Sequence, residues 1–220
     1  MEPRIVSGPT AADVALNHRR FNGGGLTSWK AMQAATGGAI DLGMLEHRQI
    51  VHRWLNRWGC RLPYGRAGNE TMTVTSLGHW WHDHHTQLGP IVGVQLADIT
   101  DDQIEMSAEA FAELSRSRAS VRRSIGPTAA SKVMMGLSPR TFPGWDATIA
   151  RARYGGSGLN AYRGHLTLTR GWAQGLGDGV SELVDDAGGI TVAKLLDEWL
   201  YEHHTRGQAG GGIATSEPSS

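Results

Sequence analysis

Apolar residues recur every three or four positions along most of the chain, which is the spacing of one face of an α-helix. Between Leu45 and Trp58 the positions on one face are apolar, and Gly59 follows; these positions are Ile50, Val51, Trp54, Leu55 and Trp58. A second such segment follows Thr100, where Thr100 and Gln103 form a capping box that marks a first helical turn. The pattern predicts an all-α protein.

Capping residues, glycines and prolines set the bounds of the other predicted helices. These helices cover residues 11–20, 28–35, 77–87, 128–137 and 146–153, with two or three more between 159 and 204. The only strand-like stretch is Thr71–Thr75, which is too short to build a sheet. We expect one helical domain over residues 1–206, in which two small lobes share a cleft, and a disordered glycine- and serine-rich tail over 207–220.

The composition disfavours some classes of function but does not identify the function. The 220 residues carry 21 basic and 21 acidic side chains, which disfavours a protein that coats nucleic acid through bulk charge. Cys60 is the only cysteine, which excludes an internal disulfide and fits a reducing cytoplasm. Neither a signal peptide nor a membrane-spanning apolar run is visible, so we expect a cytoplasmic protein that does not bind membranes.

The most informative segment is Ser124–Ile149. Gly126 lies between two predicted helices and is expected to reverse the chain, and the second helix begins near Thr128. Backbone N–H groups at such a turn and helix start can bind an anion, and a DNA phosphate is a natural one. Arg122 and Arg123 stand beside this turn.

Asp146 follows a Pro-Gly-Trp turn at the start of another predicted helix. The helix dipole stabilises an ionised carboxylate there. Cleavage of an N-glycosidic bond passes through an oxocarbenium-like transition state, as cleavage of a glycoside does. A fixed carboxylate stabilises that cation and orients or deprotonates the attacking water. We therefore expect Asp146 to be the catalytic group.

This segment resembles the helix-hairpin-helix DNA glycosylase superfamily. The family hallmark is a hairpin of the type Leu-Pro-Gly-Val-Gly-x-x-Thr-Ala, then a helix, then a proline-containing loop that ends in the catalytic aspartate. Residues 123–130 stand at the hairpin, and Asp146 lies 20 residues after Gly126, as in the family. Residues 142–146, Phe-Pro-Gly-Trp-Asp, are similar to the family's Pro-x-Asp loop. The close similarity covers about 26 residues.

The resemblance implies a helix-hairpin-helix glycosylase-like fold, with the hairpin and catalytic loop in residues 116–153. It implies a monomer that binds double-stranded DNA, flips out a modified or damaged base, and hydrolyses its N-glycosidic bond to leave an abasic site. The expected DNA contacts are Arg122, Arg123, Ser124, Ile125, Gly126, Thr128 and Lys132. Trp145, Trp80 and Trp81 are expected to form the base pocket. No metal or other cofactor is expected.

The chain also departs from the family pattern. Ser124 replaces the first hairpin glycine and Arg123 the proline before it. Thr128 stands where strand-nicking relatives carry lysine, which implies a monofunctional enzyme. Lys132 lies one helical turn further on, so a role in forming a Schiff base stays open. With Cys60 alone, the chain cannot hold the four-cysteine iron–sulfur cluster of some relatives.

The substrate does not follow from the motif. The base is expected to be oxidised, alkylated or otherwise modified. A variant of the hypothesis is phage defence, in which the enzyme excises bulky bases such as glucosylated hydroxymethylcytosine from invading DNA.

Several alternatives remain at this stage. Asp146 is also a favoured N-cap residue, and Gly126 is also a favoured helix terminator. The segment His79–His85 places histidines on one helix face, and its His82-Asp83 pair is similar to that of metal phosphohydrolases. The two rival functions are therefore a metal-dependent phosphohydrolase and a non-catalytic DNA-binding module that keeps the hairpin.

Overall fold

A computed structural model describes residues 8–21, 25–65, 70–185 and 190–206. These parts contain nine α-helices and a two-stranded antiparallel sheet. The helices are α1 (Ala11–Arg20), α2 (Gly25–Ala35), α3 (Leu45–Arg57), α4 (Met72–Leu88), α5 (Asp101–Arg116), α6 (Pro127–Leu137), α7 (Ala147–Tyr154), α8 (Leu159–Leu176) and α9 (Val192–Tyr201). The strands are β1 (Arg118–Ser120) and β2 (Arg123–Ser124). The prediction of a mainly helical protein is confirmed, whereas the predicted tail over 207–220 lies outside the described residues.

Side-chain caps define several helix starts. Thr100 Oγ1 accepts a hydrogen bond from the Gln103 N–H at 3.2 Å, and Gln103 Oε1 accepts one from the Thr100 N–H at 3.0 Å. The predicted capping box of α5 is therefore confirmed. Thr191 caps α9 in a similar way through the Lys194 N–H. No helix in the described ranges is both long enough and apolar enough to cross a bilayer.

The strand-like stretch after Thr71 is helical, so that prediction was wrong. Thr71 Oγ1 accepts from the Val74 N–H at 3.2 Å and caps α4. Thr73, Val74 and Leu77 are all buried on one side of this helix. Their common burial favours a helix over the strand that threonine and valine prefer in isolation.

A short two-stranded arm, which the sequence did not predict, precedes the Gly126 turn. Arg118 pairs with Ser124 and Ser120 with Arg123, with an irregularity between the two pairs. We call residues 117–125 the basic arm. Thr73 of α4 donates its hydroxyl to the Ala119 carbonyl at 3.4 Å, and Ala119 is buried. The arm therefore packs against the start of α4.

Helix α5 lies at the centre of the core and packs against α6, α8 and α4. Its Phe111 stacks on Tyr162 of α8 with ring centroids 3.8 Å apart. Trp145, from the loop between α6 and α7, packs edge-on against both rings. The core therefore fixes the hairpin helices and the loop that precedes Asp146 in one packed unit.

The backbone at Gly126 leads to the first testable prediction. Gly126 has φ +83° and ψ 159°, a conformation that L residues rarely adopt, and a Cβ there meets no atom within 4 Å. Gly126→Ala is therefore expected to lower the free energy of unfolding by about 1–3 kcal/mol through backbone strain alone. Urea denaturation with a linear extrapolation measures the change.

Gly171 provides the matched control. It is exposed in the interior of α8, and a Cβ there also meets nothing within 4 Å. Gly171→Ala is expected to raise the free energy of unfolding by about 0.5–1 kcal/mol, because alanine loses less conformational entropy in a helix. Changes of the same sign in both variants contradict the assignment of strain to Gly126.

Candidate active site

Asp146 is the N-cap of α7, as the sequence predicted. Its Oδ1 accepts hydrogen bonds from the Thr148 N–H at 2.8 Å and the Ile149 N–H at 2.9 Å. The side chain is partly exposed at the surface. The two backbone bonds fix the plane of the carboxylate, and the helix dipole stabilises its negative charge.

A buried hydrogen bond sets the position of the residue before Asp146. Ser131 lies on α6 and is fully buried, and its hydroxyl donates to the Trp145 carbonyl at 2.9 Å. The same hydroxyl lies 3.1 Å from the Thr128 carbonyl. The helix that follows the Gly126 turn is thus bonded directly to the loop that presents Asp146.

Trp145 does not line an open pocket, contrary to its predicted role in binding a base. Its side chain is only 2% exposed and packs against Phe111, Tyr162 and His165. Because the ring is buried, stacking on a flipped base requires the core to open. In this structure Trp145 is instead the anchor of the Asp146 loop.

His165 lies behind Trp145 and is fully buried. Burial lowers the pKa of His165 to about 4, although the Asp197 carboxylate opposes the shift. Its Nδ1 is 3.2 Å from the Tyr154 hydroxyl, and the backbone at Pro143 and Gly144 also opposes the shift of its pKa. A neutral imidazole therefore supports the loop that leads to Asp146.

Lys132 is partly exposed and packs against an aromatic ring, which disfavours the phosphate contact that the sequence predicted. Its Nζ lies 4.0 Å from the centroid of the Trp58 ring. Burial lowers the pKa of Lys132, and the Asp197 carboxylate partly offsets this effect. Asp197 is in turn bonded to Lys194 Nζ at 2.8 Å. Asp146 also acts on Lys132, but more weakly than Asp197 does.

A buried group of charges on α9 stands next to Lys132 and was missed by the sequence analysis. Lys194 Nζ lies 3.7 Å from Glu198, and Glu198 is 2.7 Å from His18 of α1. Burial opposes protonation of Lys194, but Asp197 and Glu198 outweigh it and raise its pKa. The sequence signal that could have revealed this group is the i, i+3 and i+4 spacing of its charges on an otherwise apolar helix.

The hairpin amides are arranged differently from the prediction. The Ile125 N–H donates to the Ser117 carbonyl at 2.8 Å, and the Gly126 N–H donates to the Ser115 carbonyl at 2.9 Å. The Ile125 side chain is buried as well. Neither residue therefore offers a group to DNA, and the remaining donors are the first-turn N–H groups of α6, beginning at Thr128, which have no acceptor within the helix.

The two predicted hairpin arginines have different surroundings. Arg122 is exposed at the tip of the basic arm. Arg123 is also exposed, but its guanidinium donates to the Arg61 carbonyl at 2.7 Å and to the Cys60 carbonyl at 3.2 Å. Arg123 therefore ties the arm to the segment after α3, whereas Arg122 remains directed at solvent. Ser124 is exposed and belongs to the strand pairing.

The histidines of α4 do not converge on a metal site. His82 and His85 lie with ring centroids 6.4 Å apart, and His85 Nδ1 is 3.0 Å from the His82 carbonyl. His84 is buried, with Nε2 3.0 Å from Glu113 Oε2. Among the described residues no three histidine, cysteine or acidic side chains come close enough to share a metal ion.

The tryptophans of α4 divide between core and surface. Trp80 is buried and donates its Nε1–H to the Ala110 carbonyl at 2.8 Å, so it does not line the predicted base pocket. Trp81 is partly exposed and lines a cavity of about 630 Å³ together with His79 and His82. Trp81 is therefore the only one of the three predicted pocket tryptophans that has an accessible ring.

Asp146 lines none of three surface cavities that the described residues form. One of about 750 Å³ lies between α2 and the end of α6, beside Trp29 and Arg140. The other two, of about 640 and 630 Å³, flank His79 on α4. The cleft that was expected beside Asp146 is not among these three.

The low pKa of His165 gives a prediction about stability and pH. An unfolded histidine binds a proton below about pH 6.5, whereas folded His165 does so only below about pH 4. The free energy of unfolding is therefore expected to fall by about 3 kcal/mol from this residue as the pH drops through that window. His165→Asn is expected to lack this part of the decline in denaturation curves between pH 4 and 7.

The readout is the slope of the free energy of unfolding against pH, because a buried asparagine also lowers the stability at every pH. Thr169→Val, at a buried position of α8 that carries no titratable group, is the control and is expected to keep the wild-type slope. An unchanged slope in His165→Asn contradicts a buried neutral imidazole.

Comparison with known proteins gives no match to this chain. No family model, no curated protein and no solved structure shows significant similarity. The resemblance to helix-hairpin-helix glycosylases therefore rests on residues 124–149, and their function has to be judged from the contacts they make.

Proposed function

We propose that this chain is a monofunctional DNA glycosylase of the helix-hairpin-helix type. One contact supports the proposal most strongly, which is the buried hydrogen bond from Ser131 to the Trp145 carbonyl. It couples the helix after the Gly126 turn to the loop that ends in Asp146. A phosphate held at the hairpin and a sugar beside Asp146 would thus be kept at a fixed separation, which is the geometry that glycosylase chemistry needs.

The phosphate is bound by the hairpin side of this unit. The first-turn N–H groups of α6 and the exposed Arg122 attract an anion. This contact carries no sequence information and serves to position the DNA backbone. The nucleotide to be cut is flipped out of the duplex, because its N-glycosidic bond is not accessible in the stack.

The carboxylate of Asp146 then acts at the sugar. As the bond between C1′ and the base nitrogen breaks, the base leaves with the bonding electrons, and positive charge develops on the deoxyribose. The carboxylate, held by the Thr148 and Ile149 N–H groups, stabilises that charge. A water attacks C1′ and gives up a proton to the carboxylate. The proton passes through solvent to the released base, which restores the carboxylate and leaves an abasic site.

The proposed substrate is a modified or damaged base in double-stranded DNA, including the bulky glucosylated hydroxymethylcytosine of some phages. A panel of genomic DNAs separates these classes: oxidised DNA, alkylated DNA and phage DNA with modified cytosines. Released bases are identified by mass spectrometry, and abasic sites are counted with an aldehyde-reactive probe. Release of a base from at least one DNA is the expected result.

Substitutions at Asp146 distinguish catalysis from capping. Asparagine and serine are both good N-caps, so Asp146→Asn and Asp146→Ser are expected to unfold within about 0.5 kcal/mol of the wild type. Both remove the negative charge, so base release is expected to fall at least about 100-fold. Asp146→Ala is the control for lost capping and is expected to cost about 1 kcal/mol of stability.

Two results contradict the proposal. If Asp146→Asn and Asp146→Ser release the base at the wild-type rate, Asp146 is only a helix cap. If the wild type binds DNA but never produces an abasic site on any member of the panel, the chain is a non-catalytic DNA-binding module. The rival metal-dependent phosphohydrolase has less support, since the described histidines of α4 do not converge.

The surroundings of Lys132 lead to a prediction about strand nicking. Its Nζ faces Trp58 and is influenced more by Asp197 than by Asp146, so the amine is directed toward α3 and α9. We therefore expect it not to attack C1′. Treatment of an active mixture with sodium borohydride is expected to give no covalent adduct between protein and DNA.

The Lys132→Met variant also tests whether Lys132 attacks C1′. It is expected to leave the ratio of strand cleavage to base release unchanged. A borohydride adduct that forms with the wild type and is lost in Lys132→Met shows the opposite, that Lys132 is a nucleophile and the enzyme also nicks the strand.

A further inference from the structure

We propose that the cavity between α2 and the end of α6, the α2–α6 cavity, binds a small organic anion with a flat apolar body, such as a nucleoside monophosphate or an aromatic carboxylate. This is a second site, which depends neither on catalysis by Asp146 nor on DNA binding. Three observations support it: the size and lining of the cavity, the single sign of the charge around it, and the fixed positions of its walls.

The α2–α6 cavity is large enough for a small molecule and has mainly apolar walls. Its volume is about 750 Å³, within the range of roughly 300–1,000 Å³ that is usual for small-molecule sites. The apolar side chains along it include Trp29, Ala34, Ile40, Val92, Leu137 and Pro139. The partly exposed amide of Gln33 can both donate and accept a hydrogen bond. A ligand with a flat apolar body and a polar edge fits this lining.

The charge around the cavity is of one sign. The lining comes from three stretches of sequence without aspartate or glutamate, which are residues 14–40, 84–97 and 114–145. Lys30, which is exposed on α2, and Arg140, which is partly exposed after α6, also line the cavity. Asp41 is next to the first stretch, but it does not line the cavity, and its Oδ1 accepts from the Gly43 N–H. A concave site lined by one sign of charge concentrates the opposite ion, so the cavity favours an anion.

Hydrogen bonds hold two walls of the cavity together. The Ser138 hydroxyl, at the end of α6, accepts from the Gly93 N–H at 2.8 Å. It also lies 2.7 Å from the Thr141 hydroxyl, which donates to the Ile91 carbonyl at 3.2 Å. Ser138 and Thr141 are both buried, so the turn at residues 91–93 is fixed to α6. A preformed site loses less free energy in ordering its walls when a ligand enters.

The wall formed by α2 is supported by the core. Trp29 is only 6% exposed and packs edge-on against Trp54 of α3, with ring centroids 5.7 Å apart. A Cβ at Gly136 would lie 3.0 Å from Ile40 Cδ1 and 3.6 Å from the Trp54 ring, so glycine lets both side chains approach α6 closely. The apolar surface of the cavity is therefore held in place by close packing.

Isothermal titration calorimetry of the wild type at low salt tests the proposal. The anionic probes are deoxycytidine 5′-monophosphate and 1-naphthoate, which represent the two sources of such an anion. Deoxycytidine and 1-naphthalenemethanol lack the anionic group, and inorganic phosphate lacks the apolar body. At least one anionic probe is expected to bind with a Kd of about 0.1–1 mM, the affinity that ligands of this size reach. The three control probes are expected to bind at least about tenfold more weakly.

Substitutions on α2 show whether the probes occupy the cavity. Ala34→Trp places a large ring in it and is expected to abolish measurable binding. Ala31→Trp is the matched control, because Ala31 is also an exposed alanine of α2 but does not line the cavity. Lys30→Gln is expected to weaken binding about threefold to fivefold, the effect of one exposed charge. Arg57→Gln, at an exposed cation outside the cavity, is expected to bind as the wild type does.

Four results overturn the proposal. If neither anionic probe binds, the cavity is not a site for such an anion. If Ala34→Trp binds a probe as tightly as the wild type, the probe occupies another place. If an uncharged probe binds as tightly as its anion, the charge has no role, and if inorganic phosphate binds as tightly, the apolar body has none. Because no base is released in these titrations, the glycosylase proposal can fail while this site stands, and the site can fail while the glycosylase proposal stands.

Discussion

The hydrogen bond between the buried Ser131 hydroxyl and the Trp145 carbonyl is the interaction on which the candidate site depends. It joins α6 to the loop before α7, so that Asp146 is held relative to the Gly126 turn by a direct contact and not only through the connecting chain. A buried carbonyl that loses its partner costs about 1–3 kcal/mol, so the loop is strongly held in this position. The aromatic cluster of Phe111, Tyr162 and Trp145 then makes the loop part of the core. The carboxylate is therefore presented from a rigid element, which catalysis by electrostatic stabilisation requires.

Lys132 and Lys194 are two neighbouring amines whose pKa values shift in opposite directions. Lys132 and Lys194 both lie near the Trp58 ring, where only Lys194 has carboxylate partners within ion-pair distance among the described residues. Burial therefore lowers the pKa of Lys132, while Asp197 and Glu198 raise that of Lys194. Two neighbouring amines thus respond in opposite directions because their partners differ, not because their depth differs. Among the charges that act on Lys132, Asp146 has a weaker effect than Asp197.

Charge is distributed unevenly although the chain is neutral overall. The stretch without acidic residues, 114–145, coincides with the arm, the Gly126 turn and α6. Attraction to an anion is therefore local, and it is opposed beside Arg116 and Arg118, because Asp83 and Glu113 line the same cavity. Salt is expected to weaken it in proportion to the few phosphates contacted. Arg123 does not add to this attraction freely, because its guanidinium supports the arm. Arg122 therefore faces solvent, whereas Arg123 holds the basic arm in place.

Local signals were enough to predict the helices, the capping box at Thr100 and the spacing from Gly126 to Asp146, because each depends on residues a few positions apart or on one continuous segment. The strand-like residues after Thr71 misled the prediction, since burial of one helix face overrides the preference of single residues. The roles of Trp145, Trp80, Ile125 and Lys132 were also mispredicted, because each depends on partners from distant parts of the chain, such as Ser131, Ala110, Ser117 and Trp58. Sequence patterns specify which faces of an element are apolar, but only the packing of those faces determines whether a given ring or amine meets solvent, a carboxylate or the core.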